Sequence, residues 1–242
     1  MGLIYGKNPV TEAITSGKTI NKIYVSKGSK ELYDVIKLAK DNRIVVVESD
    51  KKKLDKMVEF KNSQGIVASV TEYEYFEVDD ILKEALDKKE APVIVILDKI
   101  EDPHNLGAII RTVECFGVHG VIIQKRNACQ VTDTVEKTSA GATSFVKIAR
   151  VTNITETIKY LKEKGLWIYG LDMDGKSNVY DTKFDGPIGI VVGNEGEGIS
   201  RLVKENCDFL VKIPMTGKIN SLNASVSTAI SIYEVIRQKN NT

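Results

Sequence analysis

The sequence is poor in the residues that build metal centres and disulfide frameworks. It holds three cysteines, Cys115, Cys129 and Cys207, an odd number with no C-x-x-C pair. That spacing argues against a disulfide scaffold and a zinc site, and fits reduced thiols in a cytoplasmic compartment. Histidine is scarcer still, with only His104 and His119, so no metal is expected. No stretch is long and apolar enough to span a bilayer. The opening MGLIYGKNPVTEAI lacks the charged head and apolar core of a signal peptide. Gly6 stands where a myristoylation signal needs Ser or Thr. Strong net charge is absent too, the total being +1, but its distribution is uneven. Residues 1–70 carry 13 Lys/Arg against 8 Asp/Glu, whereas residues 71–90 carry 3 against 8. A basic first segment is compatible with a polyanionic partner.

What is present reads as alternating strands and helices in 242 residues, enough for one large domain or two small ones. In the first 70 residues, Asn8-Pro9 looks like a helix start, with Asn8 capping and Gly17 ending the helix. INKIYVS (20–26) reads as a strand and 29–42 as an amphipathic helix. RIVVVES (43–49) reads as a buried strand, 50–60 as a helix capped by Asp50, and QGIVASV (64–70) as a strand. This is a three-layer α/β pattern. The acidic stretch 72–91 reads as a linker after a first domain over 1–71. From PVIVILD (92–98) a second α/β domain runs to 242. Its strands are expected at 92–98, 119–124, 145–149, 166–171, 188–192 and 208–213. These runs are apolar on both faces, as in a parallel sheet covered by helices. A final helix at about 222–238 carries Leu222, Val226, Ala229, Ile230, Tyr233 and Ile236 on one side. That stripe can pack on the sheet or on a second subunit; core packing is the expected use.

Parallel sheets bind ligands at the carboxyl ends of their strands, and three such ends are rich in polar residues. The first is LDKIEDPHNLGAIIRT (97–112), where Asn105 can cap a helix and Arg111 sits on an otherwise apolar helix. The second is GNEGEGIS (193–200). Its glycines give G-x-x-G-x-G with Glu195 and Glu197 between them, unlike the dinucleotide fingerprint G-x-G-x-x-G, and no Walker-type G-x-x-x-x-G-K-[ST] occurs. Two carboxylates would repel a pyrophosphate, so the loop suits a neutral or cationic ligand. The third is IPMTGKINSLNASVSTAI (213–230), where Ser221 or Asn220 can cap the last helix and leave Asn223 to face a ligand.

In order and position these three segments resemble motifs one, two and three of the SpoU (TrmH-like) branch of the SPOUT RNA 2′-O-methyltransferases. IYGKNPVTEAI resembles the opening of the small L30e-like α/β RNA-binding domain that precedes the catalytic domain in many members. Ala224-Ser225-Val226 departs mildly from the commoner V-S-V. The most similar type methylates a guanosine 2′-hydroxyl in 23S rRNA. The resemblance implies an α/β-knot catalytic domain with a deep trefoil knot, a homodimer, and S-adenosylmethionine as cofactor. It implies cofactor contacts at Gly193, Ile213 and Leu222, through their backbones. It implies catalytic roles for Arg111, Asn105, Glu195, Ser221 and Asn223. Arginine is protonated at working pH, so Arg111 is expected to act electrostatically on the ribose hydroxyl, with Glu195 as a partner that holds it. Lys7, Lys18, Lys22, Lys27 and Lys30 are candidate phosphate contacts. The alternatives are a tRNA or another rRNA site as substrate, a non-catalytic RNA-binding or ribosome-assembly module, and a nicotinamide oxidoreductase, which the glycine spacing disfavours.

Overall fold

The computed structural model describes residues 2–16, 18–70, 73–218 and 221–240. The chain forms two compact units, Met1–Glu74 with Val131–Asp133, and Tyr75–Gln130 with Thr134–Thr242.

The first unit runs β1 (Gly2–Tyr5), α1 (Lys7–Thr15), β2 (Ile20–Ser26), α2 (Tyr33–Asp41), β3 (Val46–Ser49), α3 (Lys51–Met57) and β4 (Ile66–Val70). Its sheet has the order β1-β4-β2-β3, with only β2 and β3 parallel. Strand alternation sorts the core. Ile66, Ala68 and Val70 meet Val10, Ile14, Val35 and Ala39, whereas Val67 meets Leu54 and Val58 of α3 and the turn after it. Sequence reasoning missed β1, whose short run is only half-buried. The α1 cap also differs from expectation. Gly6 (φ +89°) is the N-cap and Asn8 lies inside the helix, while Gln64 Oε1 accepts from the Lys7 N–H at 3.1 Å. Gly17, the expected end of this helix, lies outside the described residues. β3 is shorter and less buried than expected, because Arg43 takes φ +59° and breaks the extended run.

The second unit runs α4 (Val78–Asp87), β5 (Val93–Leu97), α5 (Pro103–Cys115), β6 (Gly120–Gln124), α6 (Asp133–Thr138), β7 (Lys147–Val151), α7 (Ile154–Glu163), β8 (Trp167–Leu171), β9 (Ser177–Asn178), β10 (Ile188–Val192), α8 (Arg201–Asn206), β11 (Phe209–Lys212) and α9 (Ala224–Lys239). Its seven strands are ordered β7-β6-β5-β10-β8-β11-β9 and all pair in parallel. One face packs Ile94, Ile96, Ile122 and Ile168 against Ile81, Ile158, Leu161 and Val203 of α4, α7 and α8. α5 and α9 lie outside that cluster and pack on each other and on strands β6 and β10. Among the described residues, no helix is long and apolar enough to cross a membrane.

Two expectations are corrected here. Residues 78–87 are not a free linker. Val78, Ile81, Leu82 and Ala85 form one helical face, and Ile81 and Ala85 are fully buried. Ile81 sits so near β6 that a Cβ on Gly120 would lie 2.7 Å from its Cδ1. The stripe on α9 does not face the core either. Val226, Ile230 and Tyr233 are exposed, whereas Thr228, Ser231, Ile232 and Val235 are buried. The residues that meet the sheet are smaller and partly polar, and Thr228 and Ser231 turn their hydroxyls back onto the carbonyls of Ala224 and Ser227.

His119 is buried at the start of β6. Its Nδ1 accepts from the Val93 N–H at 3.0 Å and its Nε2 meets Glu90 Oε2 at 3.1 Å. Burial holds its pKa below the ordinary 6.5, against the opposing pull of Glu90. The unfolded chain therefore takes up the proton first, so this contribution is full above about pH 6.5 and is lost as pH falls through the lower folded value. Urea unfolding is expected to show a midpoint that drops on mild acidification, with a smaller drop in His119→Gln. Gly120→Ala is expected to destabilise by about 1–3 kcal/mol through the clash with Ile81, measured in the same assay.

Candidate active site at the carboxyl ends of the sheet

Because all seven strands are parallel, the segments after β5, β10, β8 and β11 leave the sheet at one edge. The end of β5 fixes the floor. The Asp98 N–H donates to the Val192 carbonyl at 2.9 Å, tying β5 to β10 at the start of the glycine loop. The Asp98 side chain is buried, and its Oδ2 accepts from the Ser200 N–H at 2.7 Å. Its Oδ1 is buried with no hydrogen-bond partner among the described residues.

The loop over 193–200 is closed by backbone. Asn194 and Gly198 exchange N–H···O bonds of 3.1 and 2.8 Å. Gly193 must be glycine, because a Cβ there would lie 2.1 Å from the Gly198 carbonyl carbon. Asn194 organises the rest: its Oδ1 accepts from Gly196 N–H at 2.8 Å and its Nδ2 donates to the Lys99 carbonyl at 3.1 Å. Glu195 and Glu197 are left at the exposed tip, Glu197 within 3.4 Å of Lys99 Nζ.

Three side chains from the three segments then meet. Glu195 Oε1 accepts from Asn105 Nδ2 at 2.8 Å, from Asn223 Nδ2 at 2.6 Å and from the Ala224 N–H at 3.2 Å. Asn223 Nδ2 also reaches Asn105 Oδ1 at 2.8 Å. The carboxylate thus sits at the amino end of α9, where the helix dipole favours negative charge. Oε2 engages no described residue, so one oxygen of the carboxylate is left over for a ligand.

Two local expectations change. Asn105 does not cap α5. Asp102 does, accepting from the His104 N–H at 3.0 Å, with Pro103 at the first helical position. Asn105 is thereby inside the first turn, buried and free to bond Glu195. Asn223 is not left free of the cap of α9. Its Oδ1 is the cap, accepting from Ser225 N–H at 3.0 Å and Val226 N–H at 3.3 Å, while its Nδ2 serves the network. One carboxamide does both, because its two ends differ in polarity. Ser221, the other cap candidate, is exposed, and Asn220 lies outside the described residues.

The structure does not bring Arg111 to Glu195. Arg111 is exposed and makes no hydrogen bond or ion pair with a described residue. Six residues from Asn105, at about 100° per residue, put it on another side of α5 and roughly 9 Å along the axis. Gly193 and Ile213 stand at the ends of β10 and β11, and Ile213 and Leu222 are half-buried. Between those two strands lies β8. Its exit, Leu171 to Gly175, therefore falls between Gly193 and Ile213, and sequence reasoning missed it. Gly175 approaches β11 so closely that a Cβ would lie 2.6 Å from the Val211 carbonyl carbon, and Asp172 pairs with Lys204 at 2.8 Å. The turn signal Asp-Met-Asp-Gly was visible, but its neighbours depend on a strand order no local pattern gives.

Burial pushes the thiols of Cys129 and Cys207 up to about 12, so neither is a ready nucleophile. Among the described residues, no group of three or more His, Cys, Asp or Glu side chains could hold a metal ion.

Both units of the chain have counterparts among known proteins. The model of the SpoU rRNA Methylase family matches residues 92–233, and that of the RNA 2′-O ribose methyltransferase substrate-binding domain matches residues 3–76. A Bacillus subtilis (strain 168) protein assigned by name to the TrmH family of tRNA/rRNA methyltransferases, YacO, is 44% identical over 239 residues, covering 98% of this chain and 96% of its own. A Staphylococcus haemolyticus (strain JCSC1435) protein so assigned is 45% identical, with the same coverage. Among solved structures, the SpoU methyltransferase AviRb from Streptomyces viridochromogenes, in complex with AdoMet, has a TM-score of 0.64 at 24% identity. It covers 99% of this chain and 91% of its own, a likeness of fold. The A. aeolicus TrmH/SpoU tRNA modifying enzyme has a TM-score of 0.58 at 29% identity, covering 66% of this chain and 85% of its own.

Glu195→Ala leaves the Asn105 amide and the Ala224 N–H without their acceptor, while the Asn223 amide keeps Asn105 Oδ1. It is expected to cost about 1–3 kcal/mol and to speed amide exchange at Ala224 and Ser225, read by thermal unfolding and by hydrogen–deuterium exchange. Unchanged exchange at the start of α9 would mean that the carboxylate does not fasten that helix.

Proposed function

The chain belongs to the SpoU rRNA Methylase family, and we propose that it methylates a ribose 2′-hydroxyl of RNA, a guanosine of 23S rRNA, with S-adenosylmethionine as donor. The observation that carries the reading is the meeting of Asn105, Glu195 and Asn223, one from each segment, at the carboxyl edge of the sheet. A tRNA nucleotide is the second reading; the similar proteins are named for both kinds of RNA.

The residues present fit this donor. Its sulfonium is a cation and it lacks phosphate, and the loop offers acids, turned backbone and no phosphate cradle. Asp98 places a buried carboxylate with one unpartnered oxygen beside the start of that loop, a favourable counter-charge for a cation at short range. Gly193, Ile213 and Leu222 are the residues that would hold it, by main-chain groups. When bound, the donor supplies an electrophilic methyl group.

The chain's own task is to position and activate the hydroxyl. The chain's residues would hold the 2′-hydroxyl in line with that methyl group and let its proton leave to solvent or to a phosphate oxygen of the RNA. Arg111 is cationic and exposed, with no described residue to neutralise it. It stabilises the developing negative charge on that oxygen, directly or through the adjacent phosphate. The Asn105–Glu195–Asn223 network holds the loop and the α9 cap in register, and Ser221 lies next to it for contact with the RNA.

The reading includes a homodimer and a knotted C-terminal segment. The exposed row Val226, Ile230 and Tyr233 supports the first, with Phe116, just past the end of α5, edge-on to Tyr233 at 6.2 Å. This apolar row borders α5, the helix that carries Arg111. The knotted segment is what the likeness to the family implies.

Arg111→Ala is expected to bind S-adenosylmethionine normally by calorimetry and to lose about 10²–10³-fold in methyl transfer; a parental rate would remove Arg111 from the mechanism. Asp98→Asn is expected to weaken S-adenosylmethionine more than its neutral product S-adenosylhomocysteine, and an equal loss of both would reduce Asp98 to a structural role. Ile230→Asp is expected to yield a folded monomer in sedimentation. Mapping 2′-O-methyl marks in RNA from cells lacking the protein tests the target: a missing 23S guanosine mark supports it, and a missing tRNA mark replaces it with the second reading.

A further inference from the structure

The turn that follows α3 in the first unit is built unlike the rest of that unit. Glu59 and Phe60 take φ +55° and +60° in succession, the left-handed region that side-chain-bearing residues seldom enter, and Gln64 joins them at +52°. The turn is nonetheless fastened. Asp55 Oδ1 accepts from both the Ser63 N–H, at 3.1 Å, and the Ser63 hydroxyl, at 2.5 Å. The Phe60 N–H donates to the Asp55 carbonyl at 2.7 Å, and the Gln64 N–H to Asn62 Oδ1 at 3.0 Å. The outcome of this construction is that Phe60 is held in solvent. At 79% exposure it is the most exposed large apolar side chain among the described residues. Neither local conformation nor burial rewards that placement.

Cations surround it in sequence. Lys51, Lys52, Lys53 and Lys56 of α3 and Lys61 next to Phe60 are all exposed, and none pairs with a described residue. The acids nearby are fewer, three against five lysines. Asp55 is an ionised carboxylate, held below its ordinary range by hydrogen bonds from Ser63 and by the charge of Lys51. Asp50 faces Lys27 at 4.0 Å, and Glu59 alone is left exposed. By contrast, two of the five lysines singled out from sequence are already engaged: Lys7 donates to the Glu31 carbonyl at 2.8 Å, and Lys27 meets Asp50.

A rigidly presented aromatic ring set among free lysines fits one chemistry, an unpaired base stacked on the ring with its flanking phosphates on the ammonium groups. A duplex hides its base faces and a folded protein offers no such row of phosphates. We infer that α3 and the 58–64 turn form a single-stranded RNA contact, with Phe60 as the stacking platform and Lys52, Lys56 and Lys61 as phosphate contacts. This deepens the reading of the chain as an RNA-modifying enzyme and rests on it. It assigns the unpaired part of the substrate, a loop or bulge, to this surface.

The full chain is titrated with a short single-stranded RNA of mixed sequence and with a blunt duplex of that sequence. Phe60→Ala is expected to weaken the single strand by about tenfold or more, while S-adenosylmethionine binding by calorimetry stays parental. Phe60→Trp restores affinity and its indole fluorescence is quenched on binding. Lys52→Gln with Lys56→Gln lowers the slope of log affinity against log salt by about 0.7 per lysine removed. Parental affinity in Phe60→Ala, no quenching in Phe60→Trp, or equal loss for the duplex overturns the surface assignment. A parental chain that binds neither RNA nor S-adenosylmethionine instead overturns the functional reading itself.

Discussion

One carboxylate oxygen holds the catalytic unit's polar centre together. Glu195 Oε1 gathers donors from α5, from Asn223 and from the first backbone N–H of α9, segments 90 and 28 residues away along the chain. Hydrogen bonds to an ionised acceptor are worth roughly twice those between neutral groups, and here three share one atom. The geometry of each partner is set independently of the carboxylate. Asp102 and Pro103 begin α5 two residues early enough to turn Asn105 inward, and Asn223 is pinned as the cap of α9. The acid therefore closes a frame that already exists. Removing the acid strips the buried Asn105 amide of its acceptor and releases the first N–H of α9, so the three segments lose a shared anchor.

The same logic explains which residues were legible in the sequence. The strands of the second unit other than β9 were readable because both faces of a parallel sheet are apolar; β9, two polar residues long, was missed. The three polar segments were readable because they fall at strand exits. Capping was misassigned at α1, α5 and α9: at α1 the helix starts earlier, after Gly6, and at α5 and α9 a side chain able to cap is also able to bond elsewhere. Asn105 looked like a cap because asparagine caps helices, but Asp102 with Pro103 one position on is the stronger start signal. The α9 stripe was readable as a stripe, yet its direction was not, since nothing local says that Thr228 and Ser231 satisfy their hydroxyls within the helix and so can face the sheet. The exit of β8 stayed hidden because strand order is a long-range property.

The placement of Arg111 sets it apart from the other polar residues of the three segments. Asn105, Glu195 and Asn223 satisfy one another, and their positions follow from their own hydrogen bonds. Arg111 is exposed and is satisfied by no described residue. The buried Asp98 shows the converse economy of charge: its backbone ties two strands, one oxygen anchors Ser200, and the other is held in reserve beneath the loop.

The backbone clasp between Asn194 and Gly198 has an evolutionary consequence. Only five residues fit within that ring, and Gly193 abuts its far side with no room for a single added carbon. The side chain at 197 can vary with little structural penalty, whereas an insertion or deletion would break the clasp and displace Glu195. Drift in this segment is therefore confined to substitution at fixed length, and a designer wishing to retune the loop has the identity of residue 197 to work with but not its spacing.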